Sequence, residues 1–159
     1  ELYNKDSMKI DKSKQFKTPG GKIVYGGGGI VPDIFVPLDS AKYAYAVNRV
    51  FNSGLLNSFC FEYTDINRGV LKQQYKNASD FITKFRCGAT EMNALKNYLA
   101  AKKSSFVIQG NENGLAHLMK AVIGRNLFDD DAYYPILNED DKCILKAVEV
   151  LKGKASSSN

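Results

Sequence analysis

The chain has 159 residues, 44% of them apolar, a length sufficient to bury one full core. Its 22 basic residues exceed the 17 acidic ones by five, but the excess is scattered as single lysines, Lys5, Lys9, Lys12, Lys14, Lys17 and Lys22 at the start, while Asp129 to Asp131 and Glu139 to Asp141 make the C-terminal quarter locally acidic. A phosphate-binding face needs clustered charge, so no nucleic-acid partner is expected, and no stretch approaches the ~20 uninterrupted apolar residues of a membrane helix, so neither is membrane insertion by this chain.

The N-terminal residues carry no apolar signal core, and the chain starts at Glu1 without an initiator Met, which points to a piece of a longer precursor. Residues 1–38 are rich in Lys, Gly and Pro. They contain two short β-type runs, Ile23-Val24-Tyr25 and Ile34-Phe35-Val36, punctuated by Pro19-Gly20-Gly21, Gly26 to Gly29 and Pro32. Their apolar content is too small to offset the entropy of ordering them, so they must pack on something else.

From residue 39 the apolar period changes from two to about 3.6. Asp39 or Ser40 caps a helix through Phe51 with Tyr43, Val47, Val50 and Phe51 on one face, and Gly54 suits the left-handed position that ends it. A second helix follows from Leu55 to about Gln74, with Leu56, Phe59, Tyr63, Ile66 and Val70 or Leu71 inward. Ser79 caps a short helix to Phe85, and Thr90 another to about Lys102 with Met92, Leu95 and Leu99 inward.

The clearest helix runs from Asn113 to Leu127, because Leu115, Leu118, Met119, Val122 and Ile123 fall at i, i+3, i+4, i+7 and i+8. A last helix has Asn138 as cap, Glu139, Asp140 and Asp141 against the N-terminal dipole, Ile144, Leu145, Val148 and Leu151 inward, and Gly153 as its stop. The expected fold class is mainly α: an irregular helical domain over 39–153, a β/Gly-rich segment over 1–38, and a disordered tail over 154–159.

Few residues suggest chemistry. Gly26, Gly27, Gly28 and Gly29 lack the Gly-Lys-Ser/Thr ending of a phosphate loop, and Val31-Pro32-Asp33 follows where a dinucleotide fingerprint needs a helix. The glycines call for a close backbone approach or positive φ, in a tight crossing or a peptide-binding edge. His117, the only histidine, sits one position from the apolar stripe of the best helix and is expected to be a partly buried structural residue. Cys60, Cys87 and Cys143 cannot all pair within the chain and have no zinc spacing, so their redox state stays open. Asp129-Asp130-Asp131 lacks the alternation of a calcium loop and reads as a solvated turn. The aromatic residues from Phe59 to Tyr134 are expected mainly in the core, with Tyr133-Tyr134-Pro135 in a loop. No metal and no cofactor are expected.

The run Phe16-Lys-Thr-Pro-Gly-Gly-Lys-Ile-Val-Tyr-Gly-Gly-Gly-Gly-Ile-Val-Pro-Asp-Ile-Phe-Val-Pro-Leu-Asp39 resembles a signature of the carboxyl-terminal processing, or tail-specific, serine peptidases. Within it the residues that carry the resemblance are Gly26, Gly27, Gly28, Gly29, Ile30, Pro32 and Asp33. The stretches Phe61 to Arg68, Ile123 to Leu127 and Tyr134 to Asp141 resemble the helical C-terminal region of Bacteroidetes-type members.

The resemblance implies a larger enzyme of the cell envelope or periplasm, with a PDZ domain and a Ser-Lys dyad in which a neutral, buried lysine activates the serine. Both catalytic residues would lie upstream of the glycine run, so none is assigned to this chain. By this resemblance residues 1–38 belong to the edge of an α/β peptidase core, and residues 39–153 form a non-catalytic helical domain. Its partners would be protein or peptide substrates of the parent, with a homo-oligomer as a further possibility. The competing reading is a non-catalytic helical module that binds a protein or peptide.

Overall fold

The computed structural model describes residues 13–26, 32, 34–37, 45–106, 108–110 and 112–156. The chain divides into two compact units, Glu1–Ser40 and Ala41–Asn159. It is mainly α-helical.

In the first unit, β1 (Gln15–Lys17) pairs antiparallel with β2 (Ile23–Tyr25), with Phe16 opposite Val24. The connecting turn is held locally: the Thr18 and Gly21 amides donate to the Lys22 and Thr18 carbonyls, and the Lys22 amide donates to Thr18 Oγ1. Gly21 adopts φ 83°, a left-handed conformation that side chains disfavour. None of the described residues of this unit is buried. The hairpin leaves Phe16, Ile23 and Val24 exposed, as does Ile34 further along. Two three-residue strands with no covered face cannot by themselves offset the entropy of ordering them.

In the second unit the described residues form seven helices: α1 (Tyr45–Asn52), α2 (Leu55–Gln74), α3 (Ala78–Lys84), α4 (Ala89–Ala101), α5 (Glu112–Phe128), α6 (Asp130–Asn138) and α7 (Lys142–Ser156). The periodic stripe of α5 is core, as its sequence predicts. Leu115, Met119, Val122 and Ile123 are buried, and Lys120, Ala121, Gly124 and Leu127 join them. That burial extends round most of the helix because α5 packs against α2, α3, α4 and α6 at once. Val47 and Val50 of α1, Leu56, Phe59, Cys60 and Leu71 of α2, Phe81 of α3, and Met92, Leu95 and Leu99 of α4 complete one apolar core.

Gly54 takes φ 76° between α1 and α2, as the end of α1 requires. The expected caps Asp39 and Ser40, and Tyr43, lie outside the described residues.

Several sequence expectations are corrected by the structure. Asn77, not Ser79, caps α3: its side chain accepts the Asp80 amide at 2.9 Å, which lets Ala78 begin the helix and Phe81 enter the core. The fourth helix begins at Ala89, before Thr90, because Glu91 reaches back to accept the Gly88 amide at 2.8 Å. On α2, Ile66 is 83% exposed because the core stripe passes through Thr64 instead, and of the alternatives Val70 and Leu71 it is Leu71 that is buried. Phe61 and Tyr134 are exposed aromatics.

Asp129 makes the α5–α6 turn at φ 54°, but Asp130 and Asp131 form the first turn of α6, where negative charge opposes the helix dipole favourably. Tyr133-Tyr134-Pro135 therefore lies in a helix rather than a loop. Pro135 forfeits one backbone bond, and burial of Ala132 and Ile136 holds α6 through it.

The last helix departs furthest. Asp141 caps it in place of Asn138, accepting the Cys143 and Ile144 amides at 2.8 and 3.1 Å. It also passes through Gly153 and continues to Ser156, within the tail expected to be disordered; residues 157–159 lie outside the described residues. Ile144, Leu145, Val148 and Leu151, expected inward, are exposed.

Candidate functional site

Of the glycine-run residues, Gly26 and Pro32 are described; Gly27, Gly28, Gly29, Ile30 and Asp33 lie outside the described residues. The Gly26 amide donates to the Lys14 carbonyl at 2.8 Å and so closes the open end of the hairpin. A Cβ at Gly26 would stand 3.0 Å from the edge of the Phe16 ring, a neighbour that is 61% exposed and has room to turn aside. Pro32 is exposed.

In the helical unit the candidate site is an open groove of about 520 Å³ lined by Asn57 and Phe61 of α2, Val122, Arg125 and Asn126 of α5, and Asp129 of the following turn. The end of α5 beside the groove is closed by cations of α2. Arg68 Nη1 donates to the Asn126 carbonyl at 3.0 Å and Lys72 Nζ to the Leu127 carbonyl, so two cations of α2 satisfy the orphan carbonyls at the C-terminal end of α5. Lys72 also sits 4.1 Å above the Phe128 ring. Across the turn, Arg125 pairs with Asp130 at 3.2 Å and covers Tyr133 at 4.8 Å.

Within this groove Asn126 Nδ2 is buried without a hydrogen-bond partner among the described residues. The lining thus sets amide, guanidinium and carboxylate groups beside the exposed Phe61 ring.

The reactive residue types sit elsewhere and are quenched. Cys60 and Cys87 converge on Met119, with Cys60 Sγ 4.0 Å from its carbonyl and Cys87 Sγ 3.9 Å from its sulfur. Burial, then the neighbouring Cys87, pushes the Cys60 thiol up to about 12. Burial, then the Glu91 carboxylate, does the same to Cys87. Both are protonated and poorly nucleophilic at neutral pH. None of the three cysteines forms a disulfide, and Cys143 is exposed.

Tyr63 donates to Glu91 Oε1 at 3.1 Å, and its hydroxyl is likewise raised to about 12, by burial first and then by Glu91. Lys120 is the buried lysine of the described residues. Desolvation lowers its pKa, Glu139 partly restores it and Arg86 lowers it further. Its Nζ donates to the Ile82 carbonyl at 2.7 Å, which ties α5 to α3 rather than activating a hydroxyl.

His117 is partly buried, its side chain 18% exposed and Nδ1 3.7 Å from Asp140. No cluster of three His, Cys, Asp or Glu residues among the described residues could hold a metal, and no described helix is long and apolar enough to cross a membrane.

Residues 46–129, just over half of the chain and spanning α1 to α5, match DUF8443, a family of unknown function. The chain belongs to this family. No curated protein and no solved structure matches the chain. The matched region contains the whole α2–α5 groove and ends at Asp129, whereas the glycine run and α7 lie outside it.

The groove escapes sequence reading because its lining comes from two helices some 60 positions apart, and only exposed Phe61, aromatic where a solvated face is polar, hints at it.

Proposed function

We propose that this DUF8443 chain is the C-terminal, non-catalytic part of a carboxyl-terminal processing serine endopeptidase of the cell envelope. In this reading the Ser-Lys dyad lies upstream, and the helical domain flanks the peptidase core. The observation that carries it is the run from Phe16 to Asp39, supported by the hairpin, in which Phe16 and Val24 share one exposed apolar face while Ile23 is exposed on the other. The chain alone hydrolyses no peptide.

The test is to sequence the coding region upstream of the Glu1 codon. A PDZ-like segment followed by a serine and a lysine in the family's contexts supports the reading. A start codon or an unrelated domain overturns it.

A second reading, a helical module that binds a protein or peptide without cleaving it, is favoured by the α2–α5 groove with its exposed Phe61 ring. Saturable binding of an extended peptide that is lost in Phe61→Ala and Asn126→Ala, with helical content unchanged, distinguishes it.

A further inference from the structure

The last helix has its apolar stripe on the wrong side for a core. Ile144, Leu145, Val148 and Leu151 are 39, 53, 41 and 67% exposed, although they recur at the spacing of one helical face. Lys146 and Val150, on the opposite side, are only half-buried. Among the described residues, α7 has no extended packing against another helix or strand. Lys146 and Glu149 pair at 2.7 Å on the flank away from the stripe. A contiguous row of four large aliphatic side chains facing water marks an interaction surface.

We propose that this surface is an isologous interface, in which α7 of one chain packs antiparallel against α7 of a second copy. Charge along the helix favours this occupant and this orientation. Asp140, beside His117, and Asp141, the cap, precede the helix and outweigh Lys142 that opens it, while Lys152 borders the stripe near the C-terminal end.

A two-fold axis through the middle of the helix, close to Val148, sets Ile144 of each chain against Leu151 of its mate. It also brings each acidic end beside the other copy's Lys152, and the two helix dipoles oppose. A parallel pair would stack like charges at both ends. A helix of 15 residues is about 22 Å long, so one helix against one helix gives an interface at the small end of specific complexes, with a dissociation constant in the micromolar range. The inference is independent of the peptidase reading, since it uses only α7.

The test is sedimentation equilibrium of the full chain from ~1 to ~300 µM, which spans a micromolar dissociation constant. The mass is expected to rise from 17.6 kDa to twice that value. Val148→Asp and Leu151→Asp weaken association at least tenfold while the helical circular dichroism is unchanged, because both side chains are already solvent-facing.

Orientation is read on a Cys143→Ser background by mixing Ile144→Cys chains with Leu151→Cys chains in a glutathione redox buffer. The mixed disulfide should exceed both like-with-like disulfides. A monomer at every concentration, a dimer indifferent to the Asp variants, or a preference for like-with-like disulfides each overturns the proposal. So does a monomer whose α7 binds phosphatidylcholine–phosphatidylglycerol vesicles, which would make a lipid surface the occupant.

Discussion

Gly124 lies so close to Phe81 that a Cβ added to its backbone would stand 3.0 Å from the ring edge, with Ala132 Cβ at 3.1 Å and Ile136 Cδ1 at 3.2 Å on the other sides. The α5 backbone is thereby pressed against α3 and α6. Phe81 cannot yield, being fully buried, stacked on Phe85 at 4.6 Å and edge-on to Tyr75 at 5.4 Å.

Gly124→Ala gains about 1 kcal/mol of helix propensity and loses about 1–3 kcal/mol to overpacking. Because two of the three neighbours are anchored close to backbone or locked in an aromatic stack, the loss dominates. Urea unfolding should show a net destabilisation of about 1 kcal/mol, with a larger loss for Gly124→Val, which adds more volume and gains less propensity than alanine.

At the start of α3, Asn77→Ala should cost about 1 kcal/mol, because the Asp80 amide loses its acceptor. Ser79→Ala, two residues later and exposed, should change the unfolding midpoint by less than ~0.5 kcal/mol. Equal effects would contradict the cap geometry.

Thiol accessibility gives a second check on packing. Iodoacetamide at neutral pH should alkylate Cys143 within minutes and leave Cys60 and Cys87 unmodified until the chain is denatured, as peptide mass spectrometry would read. Rapid labelling of Cys60 in the native protein would mean that α2 does not pack as described.

The same thiols impose an alkaline limit. Their folded pKa values, raised from 9.0 to about 12, mean that the unfolded chain loses these protons first. Stability is therefore full below about pH 9 and falls as pH rises towards 12, by up to about 1.4 kcal/mol per pH unit for each thiol. Lys120 acts in the opposite sense: its lowered pKa means that its burial penalty eases as pH climbs towards 10.5. Urea midpoints across this range should decline in the native sequence, and the Cys60→Ala/Cys87→Ala double variant should decline less steeply.

Periodicity was enough to locate α5 and most of α2, because a stripe such as Leu115, Met119, Val122 and Ile123 has one geometric solution. It could not choose between Asn77 and Ser79, two capable caps two residues apart, since the choice rests on Phe81 and Phe85 reaching the Tyr75 ring. Pro135 inside α6 was illegible for a similar reason: the chain tolerates a missing donor because Ala132 and Ile136 are buried.

For α7 the pattern of the sequence disclosed an apolar face but not what that face meets. The candidate groove depends on Asn57 and Phe61 being brought beside Asn126, a tertiary event without a local signature.

The two α2 cations that close the end of α5 also bear on how the domain is assembled. Lys72 and Leu127 are 55 residues apart, and all of α3 and α4 lies between them. The terminal carbonyls of α5 are therefore satisfied only after a long loop has been closed, an entropic cost that grows slowly with length but must be met before the contact repays it. The last turn of α5 should thus be among the late parts to become protected during refolding.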